Sequence, residues 1–218
     1  TKAITIKGQK GTVIRGDETG NVIEIHASNV HVLNLTVTNS SMDRNSGEEY
    51  AAIKIFENNN HVENVTIKNS FHGIYLSQSH GNTIIGNNVT GLQNGEIAGQ
   101  GNGLHLYYSN DNTLSQNTII GTRDGMFFDY SNHNNMENND ISHTRYGLHF
   151  MYSNENEFTN NQFSYNIAGA AIMFSYENKL SYNEFSLNQG SRSFGLLLQA
   201  SDDNIVEHNL FLQNLRGI

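Results

Sequence analysis

The chain has 218 residues, of which 15% are charged and 36% hydrophobic, so it can bury a core and is not disordered by composition. Its net charge of −9 argues against a nucleic-acid partner, because phosphate contacts require clustered lysine and arginine. No run of 18 apolar residues is present, which argues against a membrane span, and the absence of cysteine excludes disulfides and thiolate metal sites.

Asparagine is the most unusual residue of the composition, with 34 copies in a chain that has no proline. Asn tolerates the left-handed backbone conformation of tight turns, so this abundance predicts many similar turns and hence a repeat protein. Asparagines and serines that recur at fixed spacing are interpreted as turn residues, not as ligands or nucleophiles. One such set is expected to form a ladder of hydrogen-bonded side chains: Asn87, Asn117, Asn139, Asn161, Asn183 and Asn209.

Each repeat has three short apolar segments in a fixed order, and each segment is typical of a strand. The first follows a glycine and alternates with period two: Gly73–Leu76, Gly103–Leu106, Gly125–Phe128, Gly147–Phe150, Gly169–Ile172 and Gly195–Leu198. The second is centred on Val32, Val62, Ile84, Leu114, Met136, Phe158, Leu180 and Val206. The third is centred on Val89, Ile119, Ile141, Phe163, Phe185 and Phe211.

The spacing of the second segments gives the length of the repeat. Their centres lie 30, 22, 30, 22, 22, 22 and 26 residues apart, which fits a 22-residue coil with additions of eight, eight and four residues. Three strands per coil predict an all-β fold, a right-handed parallel β-helix of about eight coils stacked roughly 4.8 Å apart. We expect one domain over residues 1–218, with further coils beyond its C-terminal end.

Three length additions interrupt the repeat at one place, between the third strand of one coil and the first strand of the next. They lie at 41–49, 91–100 and 189–192. Stacking of the coils would place them on one edge of the molecule beside the first sheet, together with Arg123 and Arg145. Irregularity in a regular solenoid marks a working surface, so we expect function at this edge.

The outward residues of the first sheet form two columns along the helix axis. The first column is Tyr75, His105, Phe127, His149, Ala171 and Leu197, and the second is Ser77, Tyr107, Asp129, Met151, Met173 and Gln199. An outward surface of aromatic, His and Met side chains is not typical of a solvated sheet. We predict a ligand- or partner-binding face formed by Tyr75, His105, Tyr107, Arg123, Phe127, Asp129, Arg145, His149, Met151 and Met173.

Three members of this face, His149, Met151 and Met173, are a candidate metal site. Strand geometry places His149 and Met151 about 7 Å apart, and Met151 and Met173 on adjacent coils about 4.8 Å apart. Imidazole and thioether are ligands that Cu(I) prefers, so these residues indicate transient copper. Two other interpretations stay open: the inserted loops cover the stacked side chains, or the face contacts a protein or a glycan.

Catalysis is the weaker hypothesis for this edge. β-Helix enzymes that act on polysaccharides need paired carboxylates, or a carboxylate cluster near Arg or Lys. The candidates are Glu96, Arg123, Asp124, Asp129 and Arg145. Asp124 and Asp129 bracket one strand and are not expected to converge, so we expect a non-catalytic protein.

Longer motifs in the chain resemble a known family. The run Thr122-Arg-Asp-Gly-Met-Phe-Phe128 is followed by Arg145-Tyr-Gly-Leu-His-Phe-Met-Tyr-Ser-Asn154, then by Gly169-Ala-Ala-Ile-Met-Phe-Ser175 and Phe194-Gly-Leu-Leu-Leu198. The beginning, Ile4-Thr-Ile-Lys-Gly8 and Thr12-Val-Ile-Arg-Gly16, fits the same pattern. Together these motifs resemble the NosD family of nitrous oxide reductase maturation proteins over nearly the whole chain.

The resemblance implies a periplasmic accessory protein that works with an ABC-type ATPase and permease and with a copper chaperone. Its role would be in assembling the copper–sulfur centre of nitrous oxide reductase. A polysaccharide-binding or -modifying β-helix, similar to lyases and epimerases, is the alternative function. A bare structural spacer is the third, for which alanine substitutions on the first sheet would change nothing measurable.

Overall fold

The computed structural model describes residues 2–92 and 96–218, which form an all-β, right-handed parallel β-helix. Three parallel sheets run the length of the molecule, and we number them 1 to 3 in the order of the strands within a coil. Among the described residues, sheet 1 has eight strands and sheets 2 and 3 have nine each. The molecule therefore has about nine turns, close to the predicted eight.

The strands are short, and their bounds follow the predicted repeat. Sheet 1 contains β3 Ile23–Ile25, β6 Ala51–Ile55, β9 His72–Ser77, β12 Leu104–Tyr107, β15 Asp124–Asp129, β18 Tyr146–Met151, β21 Ala168–Met173 and β24 Leu196–Gln199. Sheet 2 contains β1 Thr5–Lys7, β4 His31–Leu33, β7 His61–Glu63, β10 Thr83–Ile85, β13 Thr113–Ser115, β16 Asn135–Glu137, β19 Glu157–Thr159, β22 Lys179–Ser181 and β25 Ile205–Glu207. Sheet 3 contains β2 Val13–Arg15, β5 Thr36–Thr38, β8 Thr66–Lys68, β11 Asn88–Thr90, β14 Thr118–Ile120, β17 Asp140–Ser142, β20 Gln162–Ser164, β23 Glu184–Ser186 and β26 Leu210–Leu212. A single turn of 3-10 helix covers Ile97–Gly99.

The core is a column of apolar side chains enclosed by the three sheets. The predicted centres of the second and third strands point inward, and most of them are at most 2% exposed. Aromatic rings stack from coil to coil inside it, with centroids 5.1 Å apart for Phe163 and Phe185. Each coil thus buries a layer against its neighbours, which is the stabilising unit of a solenoid.

Asparagine ladders join the coils at the corners, as predicted. Asn139 illustrates the pattern: its Oδ1 accepts hydrogen bonds from the backbone N–H and the side-chain amide of Asn117. Its Nδ2 donates to the backbone oxygen of Leu114 and to Oδ1 of Asn161. The left-handed backbone falls on the residue before a ladder asparagine, such as Gln116 (φ 56°). The ladder asparagines therefore stabilise the turns through their side chains.

A stack of exposed aromatic rings lies at the corner between sheets 1 and 2. Tyr108, Tyr130 and Tyr152 are each about 41–42% exposed, and their rings stack in parallel with centroids 4.8 and 4.9 Å apart. Phe174 extends the stack by one more coil. Since the rings stack on one another, mainly their edges face solvent.

A glycine near the beginning of six of the eight sheet 1 strands changes the direction of the side chains. A Cβ atom on Gly125 would lie 2.5 Å from the backbone oxygen of Gly147, closer than packed atoms approach. The residue before this glycine, Asp124, contacts His149 on the outer side of the sheet. The outer face of sheet 1 therefore carries an additional column at its edge, which strict alternation does not predict.

The inserted segments lie between sheet 3 and sheet 1, as predicted, and part of the first packs on sheet 1. Glu49, at the end of segment 41–49, hydrogen-bonds to His72, and Arg44 packs against Gly99 of the second segment. Positions 93–95 of segment 91–100 lie outside the described residues. Tyr75 and His105 are only 6% and 7% exposed, so part of the sheet 1 face is covered, as in one of the interpretations that the sequence left open.

Candidate metal centre

The two outward columns of sheet 1 are in the predicted register. Tyr75, His105, Phe127 and His149 pair in sequence across four adjacent strands. Their rings are also in contact: the centroid of Phe127 lies 4.8 Å from those of both His105 and His149, and Tyr75 lies 4.4 Å from His105. These four residues of the first column are thus a packed row of rings, in which Tyr75 and His105 are buried and Phe127 and His149 are partly exposed.

The second column borders the first and is half-buried from Ser77 to Met173, whereas Gln199 at its end is exposed. Asp129, Met151 and Met173 pair in register on consecutive strands, and Tyr107 pairs with Asp129 from the preceding strand. Met151 and Met173 are therefore neighbours on adjacent strands, as predicted. Both methionines are partly exposed; Met151 lies on the same strand as His149, and Met173 lies on the next strand.

Asp124 brings two predicted residues together. Its carboxylate accepts two hydrogen bonds from Arg145, from Nε at 2.8 Å and from Nη2 at 2.6 Å. Its Oδ2 also lies 3.2 Å from Nδ1 of His149. Asp124 is 2% exposed, so this ion pair is held in a low-dielectric environment where hydrogen bonds to a charged group are strong.

The pKa of Asp124 decides the state of this carboxylate. Burial alone would raise the pKa, but the hydrogen bonds from His149 and Arg145 outweigh burial and lower the pKa below its ordinary value. Asp124 is therefore ionised at neutral pH and accepts, but does not donate, hydrogen bonds. A group of this kind orients its neighbours and is not suited to act as a general acid.

The ionised carboxylate fixes the proton of His149. Because Oδ2 of Asp124 can only accept, Nδ1 of His149 carries the proton and donates it. In the neutral imidazole the lone pair then lies on Nε2, and this buried atom has no hydrogen-bond partner among the described residues. A histidine that donates Nδ1–H to a carboxylate and presents Nε2 has the arrangement found in metal-binding histidines.

A second polar cluster lies in the same face, two coils toward the N-terminus; we call it the His72 cluster (Glu49, His72, Asn102 and His105). Nε2 of His72 is 2.5 Å from Oε2 of Glu49, and Nδ1 of His72 accepts a 2.8 Å hydrogen bond from the backbone N–H of Asn102. The Asn102 amide lies 3.3 Å from Nδ1 of His105. The hydrogen bond from His72 lowers the pKa of Glu49, and burial lowers that of His105 well below its ordinary value.

The predicted face is thus divided by the structure. His149, Met151 and Met173 lie on two adjacent strands at its half-buried part, and Arg145 directly precedes the first of these strands. Tyr75 is buried beside Lys54, whose ammonium lies 5.0 Å from the Tyr75 ring. Arg123 is half-buried and precedes Arg145 by one coil, with its backbone oxygen bonded to the Arg145 N–H. Of the residues considered for catalysis, Asp124 pairs with Arg145.

Sequence reasoning missed the residues that orient this face. The residue before each strand glycine forms a column of its own: His72, Asn102, Asp124, Tyr146, Ala168 and Phe194. Four of these six side chains are polar or ionisable, so the repeat contains a pattern by which this column could have been found. Glu49 gave no comparable signal, because it lies in an inserted segment whose conformation the repeat does not determine.

The comparison with protein families shows to which family the chain belongs. A family model described as periplasmic copper-binding protein (NosD) matches residues 92–218, which is more than half of the chain. The chain belongs to the NosD family. The matched part of this NosD-family protein includes Asp124, His149, Met151 and Met173. No curated protein sequence matches the chain.

Solved structures with the same fold share little sequence with this NosD-family protein. The enzymatically active domain of tailspike protein 2 from bacteriophage CBA120 matches with a TM-score of 0.69 at 11% identity, over 92% of this chain and 35% of that one. Alginate lyase from Paenibacillus sp. str. FPU-7 matches with 0.57 at 10% identity (98% and 91%), and polygalacturonase from Erwinia carotovora ssp. carotovora with 0.54 at 10% (96% and 81%). The chain spans about a third of the tailspike domain, and at these identities the likeness shows the fold alone.

NosD proteins are described as periplasmic, and among residues 2–92 and 96–218 no helix has the length and apolar character to cross a bilayer.

Proposed function

We propose that this protein is a non-catalytic periplasmic accessory factor that holds Cu(I) transiently during maturation of nitrous oxide reductase. Membership of a family described as copper-binding supports copper as the metal. The sequence motifs that resemble NosD proteins support a role in maturation of nitrous oxide reductase. The ABC-type ATPase and permease, the copper chaperone and the reductase are its proposed partners. Copper is cargo in this proposal and is passed on.

The observation that carries the proposal is the unpartnered Nε2 of His149. Its lone pair is fixed by the Asp124–Arg145 pair, and Met151 follows two residues later on the same strand, in register with Met173 on the next. One imidazole and two thioethers form a soft ligand set that favours Cu(I) over Zn²⁺ or Mg²⁺. We name these three residues, His149, Met151 and Met173, the His149 site.

Anaerobic titration with Cu(I) against a chromophoric chelator tests the site. The purified chain is expected to bind one Cu(I), and Met151→Leu/Met173→Leu to weaken binding by more than about tenfold, because even outer-shell changes cost that much. Leucine conserves volume, so the packing on the outer face of sheet 1 is retained. His149→Gln is expected to have a similar effect.

Matched controls separate the site from nonspecific binding. Met42→Leu changes a half-buried methionine of the first inserted segment, and His133→Gln changes a half-exposed histidine of another turn. Both are expected to bind Cu(I) like the unchanged chain. Equal Cu(I) affinity in the double methionine variant and the unchanged chain would refute the site.

The role in maturation needs a cellular measurement. Denitrifying cells that lack their own NosD protein are supplied with the full-length protein, with or without Met151→Leu/Met173→Leu. The proposal expects the variant to yield reductase with less copper and lower nitrous oxide reduction. Full activity with the variant would contradict it.

Polysaccharide binding or modification is less well supported as the function. The row of rings that an oligosaccharide would use, from Tyr75 to Ala171, is largely buried. The best-placed carboxylate, Asp124, is held ionised by Arg145. Lyase or epimerase activity on uronate polymers would favour this alternative.

A further inference from the structure

We propose that the His72 cluster is a second metal site, which takes a divalent transition-metal ion through Glu49 and His105. The inference goes beyond the Cu(I) role, because its ligands are a carboxylate and an imidazole and it lies two coils from the His149 site. Glu49 and His72 also lie outside the part of the chain that the family model matches.

The hydrogen bonds of His72 assign its role. Its Nδ1 accepts from the backbone N–H of Asn102, so the single proton of the neutral imidazole lies on Nε2 and is donated to Glu49. A metal on Nε2 would require the proton to move to Nδ1, where it would face another N–H. His72 is therefore a positioning residue that holds the Glu49 carboxylate in place.

His105 has the free nitrogen that a ligand needs. Its Nε2 and the Oδ1 of Asn102 are buried and unpartnered in the part of the chain that the structure describes. The oxygen and nitrogen of an amide have nearly the same size, so rotating the Asn102 amide by 180° changes the packing little. Its oxygen then accepts a hydrogen bond from Nδ1–H of His105. The lone pair of His105 then lies on Nε2, and the Asn102 oxygen fixes the orientation of the ring.

The cluster has the dimensions of a metal site. One ligand atom each from Glu49, His72 and His105 lies within 4.8 Å of the others. Two ligands at about 2.1 Å from one ion lie up to about 4.2 Å apart, so a small rotation of the half-exposed Glu49 closes the gap. Carboxylate and imidazole together suit Zn²⁺ or Cu²⁺, with water completing the coordination.

Calorimetric titration of the full chain with Zn²⁺ tests the proposal. We expect one Zn²⁺ to bind, with binding lost in Glu49→Gln and His105→Gln. His72→Gln keeps an amide donor for Glu49 and is expected to weaken binding about 10- to 100-fold, the size of outer-shell effects. Cu²⁺ at the same site should give nitrogen hyperfine splitting from one imidazole in its electron paramagnetic resonance spectrum.

The exposed pair His133 and Glu155, whose side chains approach to 3.5 Å, is the matched control. His133→Gln and Glu155→Gln should bind Zn²⁺ like the unchanged chain. Glu49 is half-exposed, so Glu49→Gln keeps the test valid even if His105→Gln fails to fold. No Zn²⁺ binding, or equal binding by the unchanged chain and Glu49→Gln, would overturn the proposal, and the Cu(I) titration of the His149 site would be unaffected by either result.

Discussion

At the scale of single residues, Asp124 shows how a buried carboxylate organises a surface. It lies at the point where the turn enters a sheet 1 strand, and it binds Arg145 from the next coil and His149 from the middle of the next strand. One side chain thus fixes both the position of a cation and the tautomer of a histidine. The two methionines lie at the other end of these strands, in register with Asp129, and Asp124 does not contact them.

Replacing Asp124 with asparagine is expected to change the pH dependence of stability. The pKa of Asp124 is lowered in the folded chain, so its contribution is complete above the ordinary Asp pKa of about 3.9 and is lost as the pH falls below it. Asp124→Asn should lower the free energy of unfolding by about 1.5 to 3 kcal/mol at pH 7, the range for hydrogen bonds to charged groups. The difference from the unchanged chain should shrink below about pH 4.

Urea-induced unfolding between pH 3 and pH 7 measures this difference. Asp140→Asn, on the exposed side of a sheet 3 strand, is the control and should change little at either pH. A difference between Asp124→Asn and the unchanged chain that stays constant from pH 7 to pH 3 would contradict the assignment.

The position of Asp124 could not be read from alternation alone. Period two predicts the directions of Phe127 and Asp129 correctly, but Gly125 interrupts it, and Asp124 points outward with Phe127 three residues later. Glu49 was also beyond prediction, because an inserted segment has no neighbouring coil of the same sequence to fix its path. The repeat therefore predicted the outward columns of sheet 1, whereas the positions of Asp124 and Glu49 required the structure.

At the scale of the strand and its corner, the asparagine ladder determines how well coils hold together. Each ladder asparagine satisfies backbone groups of the coil before it and side chains of the coils on both sides. The predicted ladder is present because a corner without a side-chain partner would leave buried N–H and C=O groups unpaired.

Asn139→Ala is expected to be costly. It leaves the N–H of Asn117 and the backbone oxygen of Leu114 without their partners inside the corner. With about 1–3 kcal/mol for each unsatisfied buried group, the free energy of unfolding should fall by about 3 kcal/mol. Thermal and urea unfolding measure the loss.

Asn135→Ala is the matched control, because Asn135 is exposed in the strand of the same coil. It should lie within about 0.5 kcal/mol of the unchanged chain. Equal effects of the two alanine variants would mean that the ladder contributes nothing beyond turn propensity.

At the scale of the whole molecule, the chain is a stack in which each coil contacts only its neighbours. The 22-residue register predicted the three sheets and the inward columns, because every coil must repeat the same pairing. The register underestimated the number of turns slightly, because the N-terminal coil carries no ladder asparagine by which it could be counted.

A stack of this kind should tolerate loss of one complete coil. Deletion of residues 156–177 removes 22 residues and lets β22 pair with β16 in the place of β19, so the β-helix should persist with a lower melting temperature. Deletion of 156–176 removes 21 and reverses the inward and outward residues of the strands that follow. Circular dichroism and thermal melting should show a cooperative fold for the first and a collapsed or aggregated chain for the second.

Equal behaviour of the two deletions would contradict the role of register. A loss of fold in both would mean that the coils are not independent units, and a cooperative fold in both would mean that pairing is not fixed by the side-chain pattern.

The exposed tyrosine stack gives the molecule a built-in optical reporter. The chain has no tryptophan, so its intrinsic fluorescence comes from tyrosine alone. Tyr152 follows Met151 directly, and its ring stacks on Tyr130, which in turn stacks on Tyr108. Rings about 5 Å apart exchange excitation, so a change in the surroundings of Tyr152 when the adjacent Met151 binds copper should alter the emission of the whole stack, without any label.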